Sequence, residues 1–292
     1  MPAAPLALLA TCAELPTGDE DADALNAALA AHGVHARWQV WNDPDADWSA
    51  PLTVLRSTWD YTPVREQFLQ WTRSVPNLAN PVDVLEWNSD KTYLRDLAAA
   101  ELPIVPTTWA APGDVVALPV DGEYVVKPSV GAGSRGAGRF AVGQDDAAHA
   151  HVAQLHDAGR VVLVQPYLGD VDAVGETALI YVDGAFSHAV RKGAMLPEGV
   201  VHPVDSHELF VEERITAHDA TPDERAVGQR VTQFVRQRFG ADLLYARVDL
   251  LPSADGPLLV ELELTEPSLF LGYSDGAADR FASAIAARVG VP

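Results

Sequence analysis

Short apolar runs alternate with helically spaced apolar positions along the first part of the chain. Leu6 to Thr11 is an apolar run of strand length. From Asp21 to His32, Leu25, Ala28 and Leu29 recur on one helical face, and Gly33 supplies a stop. Arg37 to Trp41 and Thr53 to Ser57 read as two further strands. The alternation predicts a small α/β layer ending near Glu86, with ligand chemistry where its strands end.

Beyond that layer the pattern predicts a helix over Lys91 to Ala100, broken by Leu102-Pro103 and Val105-Pro106. A strand over Tyr124 to Lys127, a glycine-rich loop, a strand over Arg139 to Val142, a helix over Asp145 to Ala158 and a strand over Val161 to Gln165 follow. Asp183-Gly184 sits between Thr177–Val182 and Ala185–Arg191 as the turn of a hairpin. Thr221-Pro222-Asp223-Glu224 opens a helix with a cap, a proline at its first position and a glutamate three residues beyond the cap, and Gly240 closes it. Strands over Leu244 to Leu251 and Leu258 to Leu264 and a helix from Gly276 to Val289 complete the reading.

Composition narrows the classes. The 292 residues are 48% apolar, enough for about two ordinary domains. No apolar run approaches the roughly 20 residues of a membrane span. Met1 to Ala10 has no Lys or Arg, which argues against a secretory signal. The single cysteine, Cys12, excludes a disulfide framework and reads as a buried small residue. Together these features predict a cytoplasmic protein away from membranes. The net charge is −21, from 41 acidic and 20 basic residues, and repels nucleic-acid phosphates. A nucleotide remains compatible with it, given a divalent cation and a few placed basic groups.

Val130 to Gly138 reads VGAGSRGAG, in which Gly131, Gly133 and Gly136 fit G-x-G-x-x-G. A dinucleotide fingerprint needs a helix after the glycines, and here a strand-like segment follows. The loop is therefore expected to be a flap between two strands, closing backbone N–H groups, the Ser134 hydroxyl and the Arg135 cation over phosphates. Lys127 ends the strand before it in VVKP, where an ammonium needs solvent or an anion. Protein kinases place their strand lysine after such a flap, and their H-R-D and D-F-G signatures are absent.

Near the end, LLVELEL places Glu261 and Glu263 on one strand face, and ARVDLL places Asp249 on the strand before. If the two strands pair, three carboxylates converge. Such a cluster needs protons or a cation, and hard oxygen ligands suit Mg²⁺ held jointly with phosphates, with Mn²⁺ as the alternative ion. Arg247 shares the face of Asp249 and is a candidate to meet a transferred phosphoryl group.

Taken in order, Lys91 in NSDKTYL, Lys127, the flap, Val164 to Leu168, Arg247-Val248-Asp249 and Glu261-Leu262-Glu263 resemble the ATP-grasp superfamily. LRSTWDY, GETALIY and ELELTEPSLF are similar to its glutathione-synthetase-like branch, which includes the O-ureido-serine cyclo-ligase of cycloserine biosynthesis. The resemblance covers nearly the whole chain. It implies an α/β protein of ATP-grasp fold, in which an N-terminal α/β layer (1–86) is followed by two α+β subdomains enclosing ATP, 87–165 with the flap and 166–292 with the metal site. It further implies that Lys91 and Lys127, with Ser134, Arg135 and Gly136, hold phosphates. Gln165, Pro166, Tyr167 and Leu168 read adenine, and Glu176 binds ribose. Arg247 and Lys127 act in catalysis, and Asp249, Glu261 and Glu263 hold magnesium. Relatives commonly carry Asn at the position of Glu263, which leaves the coordination open. The segment Gly193 to Thr216 departs from the branch and is expected to shape the substrate pocket.

The reaction so implied is ATP-dependent activation of a carboxylate as an acyl phosphate, displaced by an amine-type nucleophile, within one molecule or between two. An ATP-binding regulatory protein without turnover is the alternative class. For an amino-acid-like substrate the candidates are Arg56, Ser57, Trp59 and Asp60, in the run after Thr53 to Ser57, together with Arg191. Arg56 suits a carboxylate and Asp60 an ammonium, unless the two pair with each other as a structural turn. A homodimer is left open. His149, His151 and His156 sit on an expected surface helix where a metal role is disfavoured.

Overall fold

The computed structural model describes residues 4–203, 214–240 and 242–291. Strand β1 (Leu6–Thr11), helix α1 (Ala22–Ala31), β2 (His35–Val40) and β3 (Leu52–Ser57) build a parallel three-stranded sheet in the order β2-β1-β3. All six residues of β3 are buried, so this strand has no solvent face, and α2 (Arg65–Ser74) follows it. The core beneath gathers Trp41, Leu55, Tyr61, Phe68 and Leu85. Helix α3 (Val82–Asn88) leads to a 3₁₀ turn at Lys91–Tyr93 and to α4 (Leu94–Ala99). The single helix expected over Lys91 to Ala100 is thus two pieces. The Asp90 side chain accepts from Thr92 N, which fixes the tight first turn, and Lys91 N donates to Ser129 O at 2.7 Å.

Strands β4 (Thr108–Ala110), β5 (Tyr124–Pro128) and β6 (Gly138–Phe140), helix α5 (Asp145–Asp157) and β7 (Val162–Pro166) form a second unit. Its antiparallel sheet has the order β4-β7-β5-β6, and the glycine-rich loop joins β5 to β6. A third sheet follows the short helix α6 (Asp170–Val174). It comprises β8 (Glu176–Val182), β9 (Ala185–Lys192), β10 (Ile215–His218) and, after α7 (Pro222–Phe239), β11 (Tyr245–Leu251) and β12 (Leu258–Glu263). Their order is β10-β9-β8-β11-β12, antiparallel throughout.

Helix α7 begins as its sequence signals. The Thr221 hydroxyl accepts from Glu224 N, the Glu224 carboxylate accepts from Thr221 N at 2.7 Å, and Gly240 ends the helix at φ 72°. Gly228 lets α7 lie close on β8, since a Cβ there would fall 2.4 Å from the Tyr181 hydroxyl. Helix α8 (Ala277–Arg288) returns to the first layer. Its Phe281 and Ile285 share a core with Leu9, Leu25 and Leu29, and also with Ile180 and Val190 of the third sheet. Burial of each such side chain contributes about 2 kcal/mol. Among the described residues no helix is long and apolar enough to cross a membrane.

Candidate active site

Between the second and third sheets, with the first layer at one end, lies a cavity of about 700 Å³. Its walls carry Lys91, Lys127, Ser134 and Arg135, Gln165 to Leu168, Glu176, Arg247, Glu261, Glu263 and Trp59. One sheet edge, one flap and one hinge strand thereby gather residues from separate parts of the chain.

The electrostatics rest on β11 and β12, where Arg247 lies opposite Glu263 and Asp249 opposite Glu261. Arg247 donates to both oxygens of Asp249 at 2.8–3.1 Å and also to Glu263. Lys192, at the end of β9, bridges Glu176 at 2.6 Å and Asp249 at 3.3 Å. Lys91 lies 3.0 Å from Glu261 and donates to Gly131 O of the flap at 2.6 Å. Burial works against ionising Asp249, but Arg247 and Lys192 outweigh it and hold the carboxyl down at about 2. Glu261 meets the same opposition from burial, and Lys91 and Lys127 hold it below the usual carboxylate range. Glu263 is pushed up to about 7 by burial and by Glu261 and Asp249, against the pull of Arg247. Lys127, half-buried and in no ion pair among the described residues, is pushed below its ordinary range by burial and by the like charges of Lys91 and Lys192, against the pull of Glu261 and Glu176.

The carboxylates do share a face, but they are not a three-ligand cage. Asp249 is 1% exposed and lies off the cavity wall, committed to Arg247 and Lys192. No group of three His, Cys, Asp or Glu side chains is disposed to hold a metal among the described residues. Glu261 and Glu263 do line the cavity, and two carboxylates suit Mg²⁺ when phosphate oxygens and water complete its octahedron.

Several residues expected at the site stand elsewhere. Arg56 is fully buried and faces Asp19 at 3.3 Å and Asp21 at 3.5 Å, so it neither lines the cavity nor pairs with Asp60. Asp60 is also off the wall and accepts from Trp41 Nε1 at 2.6 Å. The Ser57 hydroxyl is buried against Thr11 at 2.8 Å. Gly136 turns away from the cavity, its carbonyl accepting from His151 Nε2, which makes His151 a buried support of the flap and not a surface residue.

Arg191 points to the opposite face of the third sheet, toward His218 at 2.8 Å and Glu224 at 3.4 Å. Its neighbour Lys192 takes the place beside Glu176. A regular hairpin closed at Asp183-Gly184 would set Glu176 opposite Arg191. The observed register skips Ser187, and this bulge sets Glu176 opposite Lys192. Sequence reasoning missed Lys192 for that reason.

Of the divergent segment, Gly193 to Leu196 line the cavity, and Val200 and Val201 lie against Arg139 and Gly138 beside the flap. The part over 204–213 lies outside the described residues. Arg139 stacks 3.5 Å over the Tyr167 ring, pairs with Glu123 and reaches Leu196 O at 3.2 Å, tying the hinge to this segment.

The cycloserine biosynthesis protein DcsG of Streptomyces lavendulae is 38% identical over 97% of this chain and 98% of its own length. The chain belongs to the DcsG family of ATP-grasp ligases. Residues 7–83 match the family described as the N-terminal domain of D-cycloserine synthetase DcsG. The crystal structure of D-cycloserine synthetase DcsG superposes with a TM-score of 0.87, at 38% identity, over 97% of this chain and 99% of that one. D-alanine–D-alanine ligase from Bacillus anthracis, solved in complex with ATP, shares the fold at a TM-score of 0.65 and 12% identity, over 98% of this chain and 97% of that one. This ligase is therefore an enzyme whose small α/β layer and two enclosing sheets are those of an ATP-grasp protein.

Proposed function

We propose that this ligase uses ATP to activate the carboxylate of an amino-acid-like substrate as an acyl phosphate, and that an amine-type nitrogen of the same molecule then closes the ring. The observation that carries this reading is the cavity wall itself. Lys91, Lys127, Lys192 and Arg247 surround Glu261 and Glu263 there, beneath a flap rich in backbone N–H donors.

In this reading a carboxylate oxygen attacks the γ-phosphorus, and the bond to the β-phosphate oxygen breaks to release ADP. The nitrogen lone pair then attacks the acyl carbon, the carbon–oxygen bond to phosphate breaks, and phosphate departs while the nitrogen gives its proton to base or solvent. Lys91 and Lys127, with Ser134 and Arg135 of the flap, hold phosphate oxygens. Arg247 neutralises the transferring group and the tetrahedral carbon. Gln165 to Leu168 face the adenine and Glu176 the ribose. Magnesium, or manganese in its place, neutralises phosphate charge when bound, and Glu261 and Glu263 are the residues that fit it.

The test is release of ADP and phosphate, with product mass, over a panel of amino acids offered alone and with added amines. Turnover of O-ureido-serine alone is the expected result, giving cycloserine after water cleaves the carbamoyl group from the ring nitrogen and releases it as carbon dioxide and ammonia. A strict need for a second amine would assign intermolecular joining. ATP binding without phosphate release anywhere in the panel would assign a regulatory protein instead.

A further inference from the structure

The loop after β12 holds a carboxylate that the phosphate chemistry leaves unused. Glu266 is 8% exposed and lines the cavity, yet among the described residues no Lys, Arg or His forms an ion pair with it. The Tyr61 side chain lies beside it. Burial and the nearby Glu263 push the Glu266 carboxyl up to about 8, against the weaker pull of Lys91, which is committed to Glu261. A carboxylate removed from water without a cation is costly, and one facing a cavity can be matched by a cation that enters the cavity.

The backbone around Glu266 is held from three sides. Trp59 Nε1 donates to Glu266 O at 2.9 Å, Arg56 Nη1 to Pro267 O at 3.3 Å, and Arg247 Nη1 to Ser268 O at 3.3 Å. Just upstream, Asn88 Oδ1 accepts from Leu264 N at 2.7 Å and Thr265 Oγ1 at 3.3 Å. Three successive carbonyl oxygens are thus fixed by donors from the first layer and from the third sheet. Such a support preorganises one side chain at the end of the cavity where Trp59 and the first layer meet it.

We propose that Glu266 receives the ammonium group of the amino-acid substrate, and so selects substrates that carry a cationic amine beside the carboxylate to be activated. This rests on the reading of the cavity as a carboxylate-activating site. Arg247, which pins Ser268 two residues away, faces the other end of the same small zwitterion. On binding, the ammonium supplies the ion-pair partner that Glu266 lacks among the described residues and draws it into its ionised form. The charges of substrate and site then cancel at both ends.

The test compares O-ureido-serine with the same molecule carrying hydrogen in place of its amino group, using wild-type protein, Glu266→Gln and Glu266→Asp. Wild type is expected to favour the amine-bearing substrate strongly in kcat/KM. Glu266→Gln is expected to raise the KM for O-ureido-serine about 10- to 100-fold, to lose the preference, and to keep its ADP–magnesium affinity and Tm. Glu266→Asp is expected to restore part of the preference, which a merely structural role does not predict. A Glu266→Gln enzyme that keeps the wild-type preference would overturn the proposal. So would an unchanged preference with a raised magnesium requirement, which would make Glu266 a metal ligand. If wild type turns over neither compound, nor anything else in the amino-acid panel, carboxylate activation itself fails and the inference fails with it.

Discussion

Lys91 places its ammonium 3.0 Å from Glu261 and 2.6 Å from the Gly131 carbonyl, so one cation joins a candidate metal carboxylate to the flap. A divalent ion arriving at Glu261 must share that carboxylate with Lys91. Glu261→Gln leaves Lys91 without its ion-pair partner and leaves Glu263 as the single ionisable ligand on the wall. The magnesium concentration for half-maximal rate is expected to rise by about tenfold or more, and saturated turnover to fall. A magnesium titration of the rate checks this. An unchanged half-saturation point would remove Glu261 from the metal site.

Lys127 is half-buried beside Lys91 and Lys192, with no ion-pair partner among the described residues. Burial and the charges of Lys91 and Lys192 outweigh the attraction of Glu261 and Glu176 on Lys127, so Lys127→Ala is expected to leave Tm nearly unchanged. The ATP Kd is expected to rise about 10- to 100-fold, the loss of one charged hydrogen bond to phosphate. Calorimetry on the folded variant reads both changes. Wild-type affinity would place the phosphates elsewhere.

Arg56 supports the fold at the end of β3. Its removal leaves Asp19, 2% exposed, and Asp21, 3% exposed, without their shared cation. Arg56→Ala is expected to cost about 3–5 kcal/mol, the usual loss on breaking one side of a buried pair. Early melting with a near-normal KM for ATP below the transition is the expected result. A wild-type Tm with a raised substrate KM would return Arg56 to the substrate site.

Much of the architecture is legible in the sequence because local signals there agree with tertiary packing. The capping box at Thr221, the Asp183-Gly184 turn and the acidic pair on Leu258–Glu263 each specify a conformation without outside help. Lys127 and the flap could be read from the strand and glycine pattern, whereas Lys91 and the hinge at Val164 to Leu168 entered only through the resemblance to the ATP-grasp superfamily. What failed depended on partners far away in sequence. Arg56 and Asp60 look free in isolation, and only the turn at Asp19–Asp21 and the indole of Trp41 claim them. Asp249 reads as a candidate metal ligand, and in the structure Lys192 from another strand joins the neighbouring Arg247 in pairing with it. Lys192 itself was hidden by a one-residue bulge, which reverses face assignment without leaving a recognisable motif.

Glu224, away from the cavity, is expected to share the acid response with Asp249 and Glu261. Burial opposes its ionisation, but hydrogen bonds from Thr177, His218 and Thr221 prevail and hold it down from 4.5 to about 2. Arg191 and His218 face it from the third sheet. A depressed carboxylate contributes stability that is complete above pH 4.5 and lost as pH falls toward 2. The shift corresponds to roughly 3 kcal/mol. Glu224→Gln is therefore expected to melt lower than wild type near neutrality and to converge with it in acid. Parallel Tm profiles with a constant gap would remove this carboxylate from the acid response.

Helix α8 seals the core of a layer whose strands lie more than two hundred residues earlier, with Phe281 and Ile285 packed among Leu9, Leu25 and Leu29. During synthesis the β1–β3 layer therefore exposes an apolar face until residues 277–288 have been made. It cannot finish folding domain by domain from the N-terminus, as many multidomain chains do. The first layer can close only once α8 has been made, and its apolar face is open to non-native contacts until then.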